Sequence, residues 1–264
     1  PRVQGVALTG SEGAGALVAA QAGRALKKST MELGGSDAFI VLDDADLDKA
    51  VKWAVFGRHW NGGQVCCSSK RIIVHESIHD EFVRRYTEGV AQLKAGDPME
   101  ASTTLAPLSS QQAADDVRRW IDEAVAHGAT ATVIGAEVPR QGAFVRPVLL
   151  TGVKPGNPVY HHEFFGPVSM IFKVKDEDEV IRLANDSPFG LGGSVFTQDI
   201  ERGKRVAAQI STGMVYINHP TAVKADLPFG GIRRSGYGRE LIGLGLKEFV
   251  NHKLVGVTDI DGAF

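Results

Sequence analysis

The chain is poor in cysteine and has no long apolar segment. Its 264 residues contain two cysteines, Cys66 and Cys67. These neighbours cannot join distant segments, because a disulfide between adjacent residues strains the usual bridge geometry. No apolar run approaches the roughly 18 residues that cross a bilayer, and the first residues do not form a signal peptide. We therefore expect free thiols, no membrane association and a location in the cytoplasm.

An excess of positive charge is also lacking. Lys and Arg total 29 against 31 Asp and Glu, which gives a net charge of −2 and excludes a basic surface of the kind that binds nucleic acid. Asp44, Asp46 and Asp48 imitate the start of a calcium loop. Lys49 and Val55, however, stand where that loop needs glycine and glutamate. The sequence therefore predicts neither a nucleic-acid partner nor a metal site.

Short β-rich runs and amphipathic helical patterns alternate along most of the chain. Clear examples are the strand pattern of residues 168–174 and the helical pattern of residues 176–186. This alternation predicts an α/β fold with a parallel core. Residues 250–258 are predicted to form a further strand in a terminal arm.

Two residues have the chemistry of a catalytic site. Cys66 follows a turn that contains Gly62 and Gly63, where backbone N–H groups can converge on one sulfur. Glu32 follows an apolar strand and precedes two glycines, so burial could raise its pKa towards that of a general base. Taken alone, each has a plainer interpretation, Cys66 as a small buried hydrophobe and Glu32 as a capping or surface acid.

Five motifs along the chain reinforce both candidates. They are Leu8-Thr9-Gly10-Ser11, Met31-Glu32-Leu33-Gly34-Gly35, Asn61-Gly62-Gly63-Gln64-Val65-Cys66, Glu163-Phe164-Phe165-Gly166-Pro167, and Pro228-Phe229-Gly230-Gly231 with Ser235-Gly236-Tyr237-Gly238-Arg239-Glu240. In this order they resemble the aldehyde dehydrogenase superfamily over essentially the whole chain. The segments around Glu32 and Cys66 are most similar to bacterial succinate-semialdehyde dehydrogenases.

The resemblance implies a role for each candidate catalytic residue. Cys66 would be the nucleophile that forms a thiohemiacetal and then a thioester, while Cys67 would be a bystander. Glu32 would be the general base that activates water for hydrolysis. In this family the oxyanion is held by the backbone N–H of the nucleophile and by an Asn earlier in the chain, and that Asn is not in this sequence.

The resemblance also implies a nicotinamide cofactor, NAD or NADP. Ser11 begins a helix whose free N–H groups suit a pyrophosphate, and Leu33 is also expected to bind the cofactor. Glu163 matches the family residue that binds the nicotinamide ribose, and Phe165 matches the one that packs on the nicotinamide. His161 and His162 next to Glu163 could suggest a metal site, but the family uses none.

We expect three segments. Residues 1–34 would be the end of a dinucleotide-binding domain, residues 35–243 an α/β catalytic domain, and residues 244–264 an arm that pairs with a neighbouring subunit in a homo-oligomer, either a dimer or a tetramer. Because two strands and one crossover helix cannot close a parallel sheet, we expect either that this chain is the C-terminal part of a longer protein or that the unit joins another sheet.

The expected activity is NAD(P)-dependent oxidation of an aldehyde to a carboxylate, with succinate semialdehyde as the substrate. Some succinate-semialdehyde branches place an Arg six residues before the nucleophile to hold the substrate carboxylate. Trp60 occupies that position here, and Arg58 is the alternative cation. Three other interpretations stay open: a dehydrogenase of another short-chain aldehyde, a cysteine hydrolase or thioesterase, and an inactive fragment.

Overall fold

The computed structural model describes residues 2–262, in which helices and strands alternate as the sequence predicts. In chain order the elements are β1 (Gly5–Thr9), α1 (Glu12–Arg24), β2 (Lys28–Glu32), β3 (Ala38–Val41), α2 (Leu47–His59), a 3₁₀ turn (Trp60–Gly63), β4 (Arg71–His75), α3 (Glu76–Ala91), α4 (Gln111–Ala126), β5 (Thr130–Val133), β6 (Val148–Thr151), β7 (Val168–Val174), α5 (Glu177–Asn185), β8 (Phe189–Gly190), β9 (Gly193–Phe196), α6 (Ile200–Ala207), β10 (Tyr216–Ile217), β11 (Ile232–Arg233), β12 (Gly236–Tyr237) and α7 (Ile242–Lys247).

The larger sheet has seven strands in the order β10-β9-β3-β4-β7-β6-β5. Every neighbouring pair is parallel except β5 with β6 at one edge. Side chains of β3 alternate between two core clusters. Ile40 packs with residues of α4, α5 and α6 on one face, whereas Phe39 and Val41 pack with residues of α2 and α3 on the other. Helices cover both faces, which explains why the central strands are continuously apolar.

A second sheet has three strands and brings β12 from late in the chain beside β1 and β2 from its start, while β11 and β8 pair antiparallel in a separate two-stranded sheet. β1 pairs in parallel with β2, and β12 pairs antiparallel with the other edge of β2. Glu32, the last residue of β2, thus lies between Thr9 of β1 and Gly236 of β12. The expected boundary at residue 34 falls between β2 and β3. However, β12, which lies in the expected catalytic segment, belongs to the same three-stranded sheet as β1 and β2.

The strand predicted for residues 250–258 is absent from the described chain. After α7 the backbone has no regular structure over residues 251–259, and Leu254 and Val257 are each 92% exposed. A strand needs a neighbour to satisfy its backbone groups, and residues 250–258 pair with no strand within residues 2–262. Residues 1, 263 and 264 of the expected terminal segments lie outside the described residues.

Candidate active site

A pocket of about 600 Å³ lies where the carboxyl end of β2 meets the loop before β4. Its lining residues are Thr9, Gly10, Ser11, Glu32, Leu33, Gly34, Gln64, Val65, Cys66, Glu163 and Phe165. The structure therefore brings together six of the eight residues singled out from the sequence. The other two, Arg58 and Trp60, are not among the lining residues.

The cysteine loop, residues 60–70, places Cys66 at the pocket. Its first part turns sharply, because Asn61, Gly62 and Gly63 all have positive φ. Gly63 is required at its position, since a Cβ there would lie 2.5 Å from the carbonyl oxygen of Gly166. This close approach holds the cysteine loop against the segment that carries Glu163 and Phe165.

The two thiols are electrostatically different. Cys66 is half-buried, whereas Cys67 is 1% exposed. A hydrogen bond from the Cys67 side chain, assisted by the charge of Lys70, lowers the pKa of Cys66 against the effect of burial. The same thiol contact, followed by burial, raises the pKa of Cys67. Cys66 is therefore the more acidic of the two thiols, and it lines the pocket, as a cysteine nucleophile must.

Glu32 is a buried acid with no hydrogen-bond partner. Glu32 is 3% exposed, and neither of its carboxyl oxygens has a hydrogen-bond partner within residues 2–262. Burial, and then the negative charges of Glu240 and Cys66, raise its pKa to about 8, while Arg239 opposes this shift. A carboxyl group with such a pKa can exchange a proton with water near neutral pH, as a general base must.

The remaining pocket residues fit a dinucleotide. Ser11 caps the N-terminus of α1 by accepting a hydrogen bond from the N–H of Ala14, and the remaining free N–H groups of this terminus suit a phosphate. Glu163 offers a partly exposed carboxylate, which suits ribose hydroxyls. Phe165 is 47% exposed and presents an apolar ring, while Leu33 packs against Gly15 of α1.

Arg58 has a structural position that argues against the expected contact with substrate. It is completely buried, and its guanidinium donates to the carbonyl oxygens of Val168 at 2.6 Å and Phe164 at 2.8 Å, and to that of Gly166. It also donates to the hydroxyl of Ser68 at 2.5 Å. These bonds join the cysteine loop to the residues after Glu163, and they explain why Arg58 turns away from the pocket.

Trp60 lies beside the pocket rather than in its lining. Its ring stacks on Phe56, with ring centroids 5.8 Å apart, and it packs next to the small apolar cluster around Cys67, Leu191 and Phe229. The structure thus gives Trp60 a packing contact near the cysteine loop, and a direct contact with substrate stays a prediction.

Sequence reasoning missed two polar residues that shape the site. Lys70 is fully buried and donates from Nζ to the carbonyl oxygens of Val65 and Cys66. Gln64 accepts a hydrogen bond from the N–H of Ser109 at 2.7 Å and ties the cysteine loop to the segment before α4. Gln64 could have been singled out from its motif, whereas a Lys at the start of a strand resembles an ordinary exposed lysine.

A model of the aldehyde dehydrogenase family matches residues 1–255 of the sequence. The chain belongs to the aldehyde dehydrogenase family. The chain is 54% identical to the NADP⁺ succinate-semialdehyde dehydrogenase of Deinococcus radiodurans over 255 residues, which cover 97% of this chain and 54% of that protein. A probable succinate-semialdehyde dehydrogenase of Synechocystis is 45% identical, with 97% of this chain and 57% of that protein covered.

Solved structures agree with this family membership. The Streptococcus pyogenes succinic semialdehyde dehydrogenase in complex with NADP⁺ has a TM-score of 0.95 and 50% identity, covering 98% of this chain and 57% of that one. A Staphylococcus aureus betaine aldehyde dehydrogenase in complex with NAD⁺ has a TM-score of 0.89 and 36% identity, covering 94% of this chain and 50% of that one. The chain thus spans about half the length of the relatives it matches. This aldehyde dehydrogenase chain contains no helix within residues 2–262 with the length and apolar character needed to cross a membrane.

Proposed function

We propose that the protein to which this chain belongs oxidises an aldehyde to a carboxylate with NAD or NADP, and that its substrate is succinate semialdehyde. The observation that carries the proposal is a single pocket containing Cys66, with a lowered pKa, and Glu32, with a raised one. An ionised thiol and a proton-accepting carboxyl are the two groups that covalent aldehyde oxidation requires.

The chemistry divides between these two residues. The thiolate of Cys66 adds to the aldehyde carbon to form a thiohemiacetal, and the backbone N–H of Cys66 is placed to receive the oxyanion. The nicotinamide cofactor, when bound, supplies the acceptor for the hydride whose loss leaves a thioester on Cys66. Ionised Glu32 then takes a proton from water, which attacks the thioester and releases the carboxylate and the Cys66 thiol.

Binding of the cofactor is assigned to residues around the same pocket. Ser11 and the N-terminus of α1 would hold the pyrophosphate, and Glu163 would accept from ribose hydroxyls. Phe165 would pack against the nicotinamide ring. NADP is favoured because the relatives from Deinococcus radiodurans and Synechocystis are named as NADP⁺ enzymes. The assignment of succinate semialdehyde is supported by the same names.

The two cysteines provide a matched test of the proposal. The whole protein to which this chain belongs should reduce NADP when succinate semialdehyde is added. The reaction is measured by the absorbance of the reduced nicotinamide. Cys66→Ala should lower kcat by about 10³-fold or more, since it removes the nucleophile. Cys67→Ala removes a thiol of the same size one residue away, together with the hydrogen bond that lowers the pKa of Cys66. It should therefore move the activity to higher pH while keeping most of kcat there, because the nucleophile is still present.

Three outcomes would contradict this proposal. Normal turnover by Cys66→Ala, with loss of activity in Cys67→Ala, would move the nucleophile to the other thiol. Reduction of NADP with another short-chain aldehyde but none with succinate semialdehyde would reject the substrate. Hydrolysis of a thioester, with no reduction of nicotinamide by any aldehyde, would instead indicate a cysteine hydrolase.

We also propose that the protein is a homo-oligomer. The segment after α7 exposes apolar side chains, among them Leu254, Val257 and Ile260, which are 92%, 92% and 97% exposed.

A further inference from the structure

Lys70 is a buried cation beside the pocket, and all the N–H donors of its ammonium group are used. Its side chain is 0% exposed. Nζ lies 2.9 Å from the carbonyl oxygen of Val65, 2.8 Å from that of Cys66, and 3.2 Å from Oε1 of Glu163. An ammonium group has three N–H donors, so each one has a partner. One side chain thereby connects the backbone of the candidate nucleophile to the candidate ribose-binding carboxylate.

On the nucleophile side, Lys70 fixes a peptide plane. In a trans peptide the C=O of one residue and the N–H of the next point in opposite directions. Holding the Val65 oxygen therefore turns the Cys66 N–H away from Lys70. That N–H has no backbone acceptor within residues 2–262. A charge-assisted bond to the Val65 oxygen also polarises the peptide, which makes the Cys66 N–H a stronger donor.

On the cofactor side, Lys70 occupies one oxygen of a carboxylate. Oε1 of Glu163 accepts from Lys70 and from the N–H of Gly35 at 2.9 Å. Oε2 lies against Gly34, where a Cβ would collide with it. The carboxylate is therefore held by one oxygen, and the other is left for a hydroxyl group at the pocket. Gly35 also approaches the Cys66 carbonyl, since a Cβ at Gly35 would lie 2.6 Å from that oxygen.

We propose that Lys70 is a positioning residue that aligns the oxyanion-binding N–H of Cys66 with the ribose-binding carboxylate of Glu163. The inference rests on the proposed function, because that function gives Cys66 and Glu163 their roles. A purely structural cation would stabilise the loop without affecting thiol reactivity or cofactor binding. The charge of Lys70 reaches the thiol as well, since it assists the Cys67 hydrogen bond in lowering the pKa of Cys66.

Lys70→Met tests the inference, with Arg71→Met as the matched control. Arg71 is the next residue and is equally buried, but its guanidinium donates to the carbonyl oxygens of Ser36, Leu183 and Ala184, none of which lines the pocket. Both variants lose a buried cation and its hydrogen bonds. The measurements are the pH dependence of Cys66 alkylation by iodoacetamide, located by mass spectrometry, and kcat and KM for NADP.

The pH at which Cys66 alkylation reaches half its maximal rate is the alkylation midpoint. For Lys70→Met we expect this midpoint to move to higher pH, because the thiolate loses a nearby positive charge. We also expect KM for NADP to rise and kcat to fall, each by about tenfold or more, as the carboxylate and the oxyanion donor lose their alignment. Arg71→Met should lower the unfolding temperature while leaving the alkylation midpoint in place. Lys70→Arg, which keeps the charge, should restore the alkylation midpoint.

An alkylation midpoint and a KM for NADP that change no more in Lys70→Met than in Arg71→Met would overturn the inference. Should Lys70→Met fail to fold, Lys70→Gln carries the same comparison, because its amide still donates to one carbonyl. The alkylation measurement needs no turnover. A wild-type protein that reduces no nicotinamide would therefore reject the proposed function, whereas an unchanged alkylation midpoint would reject the role of Lys70.

Discussion

Ionisation of Glu32 should oppose folding, and this gives the site a measurable pH signature. Burial first, and then the charges of Glu240 and Cys66, raise the pKa of Glu32 from 4.5 to about 8. Between these two values the unfolded chain has lost the proton that the folded chain retains. The free energy of unfolding therefore falls as the pH rises through this window, and it is highest below about pH 4.5.

The size of the effect follows from the gap between the two pKa values. Since each pKa unit corresponds to about 1.4 kcal/mol, the gap of about 3.5 units between 4.5 and 8 gives an upper value of about 5 kcal/mol. Water that enters the pocket reduces this figure, so we expect on the order of 2–5 kcal/mol. Glu32→Gln keeps the size of the side chain and removes its ionisation. The variant should gain stability relative to wild type by this amount between pH 4.5 and pH 9.

Urea unfolding of the wild type and of Glu32→Gln at pH 4.5, 7 and 9, followed by tryptophan fluorescence, measures this difference. Any constant cost of the amide cancels, because only the change with pH is compared. Glu81→Gln is the control without pH dependence in this window. Hydrogen bonds from Arg84 and Arg85 lower the pKa of Glu81 from 4.5 to about 2, so the pH-dependent part of its contribution lies below pH 4.5, and the stability difference from wild type should be nearly the same at pH 4.5, 7 and 9.

Parallel pH curves for wild type and Glu32→Gln would refute the reasoning, since they would mean that the carboxyl is solvated in the folded protein. The same variant has a kinetic consequence under the proposed function. It should release one equivalent of reduced nicotinamide and then stall at the thioester. Normal steady-state turnover would remove Glu32 from hydrolysis.

Two further predictions concern the cysteine loop and the terminal arm. Gly63→Ala should destabilise the protein by about 2–4 kcal/mol in urea unfolding, because Gly63 has a φ of +77° and its Cβ would lie 2.5 Å from the Gly166 oxygen. Gly23→Ala in helix α1, where a Cβ meets nothing within 4 Å, is the control and should be neutral or stabilising, so equal losses would contradict the argument. Removing the chain from residue 250 onward should shift the protein to smaller oligomers in sedimentation, and an unchanged oligomer would reject the arm as an assembly strand.

Elements with a strong local pattern could be predicted from the sequence. The strand over residues 168–174 has the same bounds in the structure as β7, because its apolar run is bounded by Pro167 and by the acidic start of α5. The helix predicted for residues 176–186 appears as Glu177–Asn185, and Asp176 caps it. In both cases the residues that begin and end the element are neighbours in the sequence, so the sequence contains the necessary information.

Elements that depend on distant partners could not be predicted in this way. β8, β11 and β12 each have two residues, which is too short for a periodic pattern. They exist because backbone groups from separate segments meet, as when β12 pairs with β2 about 200 residues away along the chain. The same limit applied to Arg58, whose burial depends on carbonyl oxygens more than 100 residues further on.

Residues of the candidate site that belong to a sequence motif could be predicted, whereas residues that are placed by tertiary packing could not. The motifs predict that Cys66, Glu32 and Glu163 belong to one site, and all three line the same pocket. They gave no indication that Lys70 lies between Cys66 and Glu163, because burial of a lysine is decided by the segments that surround it. The sequence shows that Lys70 is a charged residue, but its partners are determined by the tertiary structure.

The pairing of β12 with β2 explains why the Glu32 side chain is buried. β12 pairs antiparallel with β2, so Gly236 lies opposite Glu32. The chain before β12 brings Gly230 against the carboxyl group, where a Cβ would lie 2.6 Å from Oε1. Backbone packed this closely shields the carboxyl group on that side, and burial is the largest cause of the raised pKa. Because no residue within 2–262 hydrogen-bonds either oxygen, the proton affinity of Glu32 is set by how closely the returning backbone packs on it, and by the neighbouring charges only in second place.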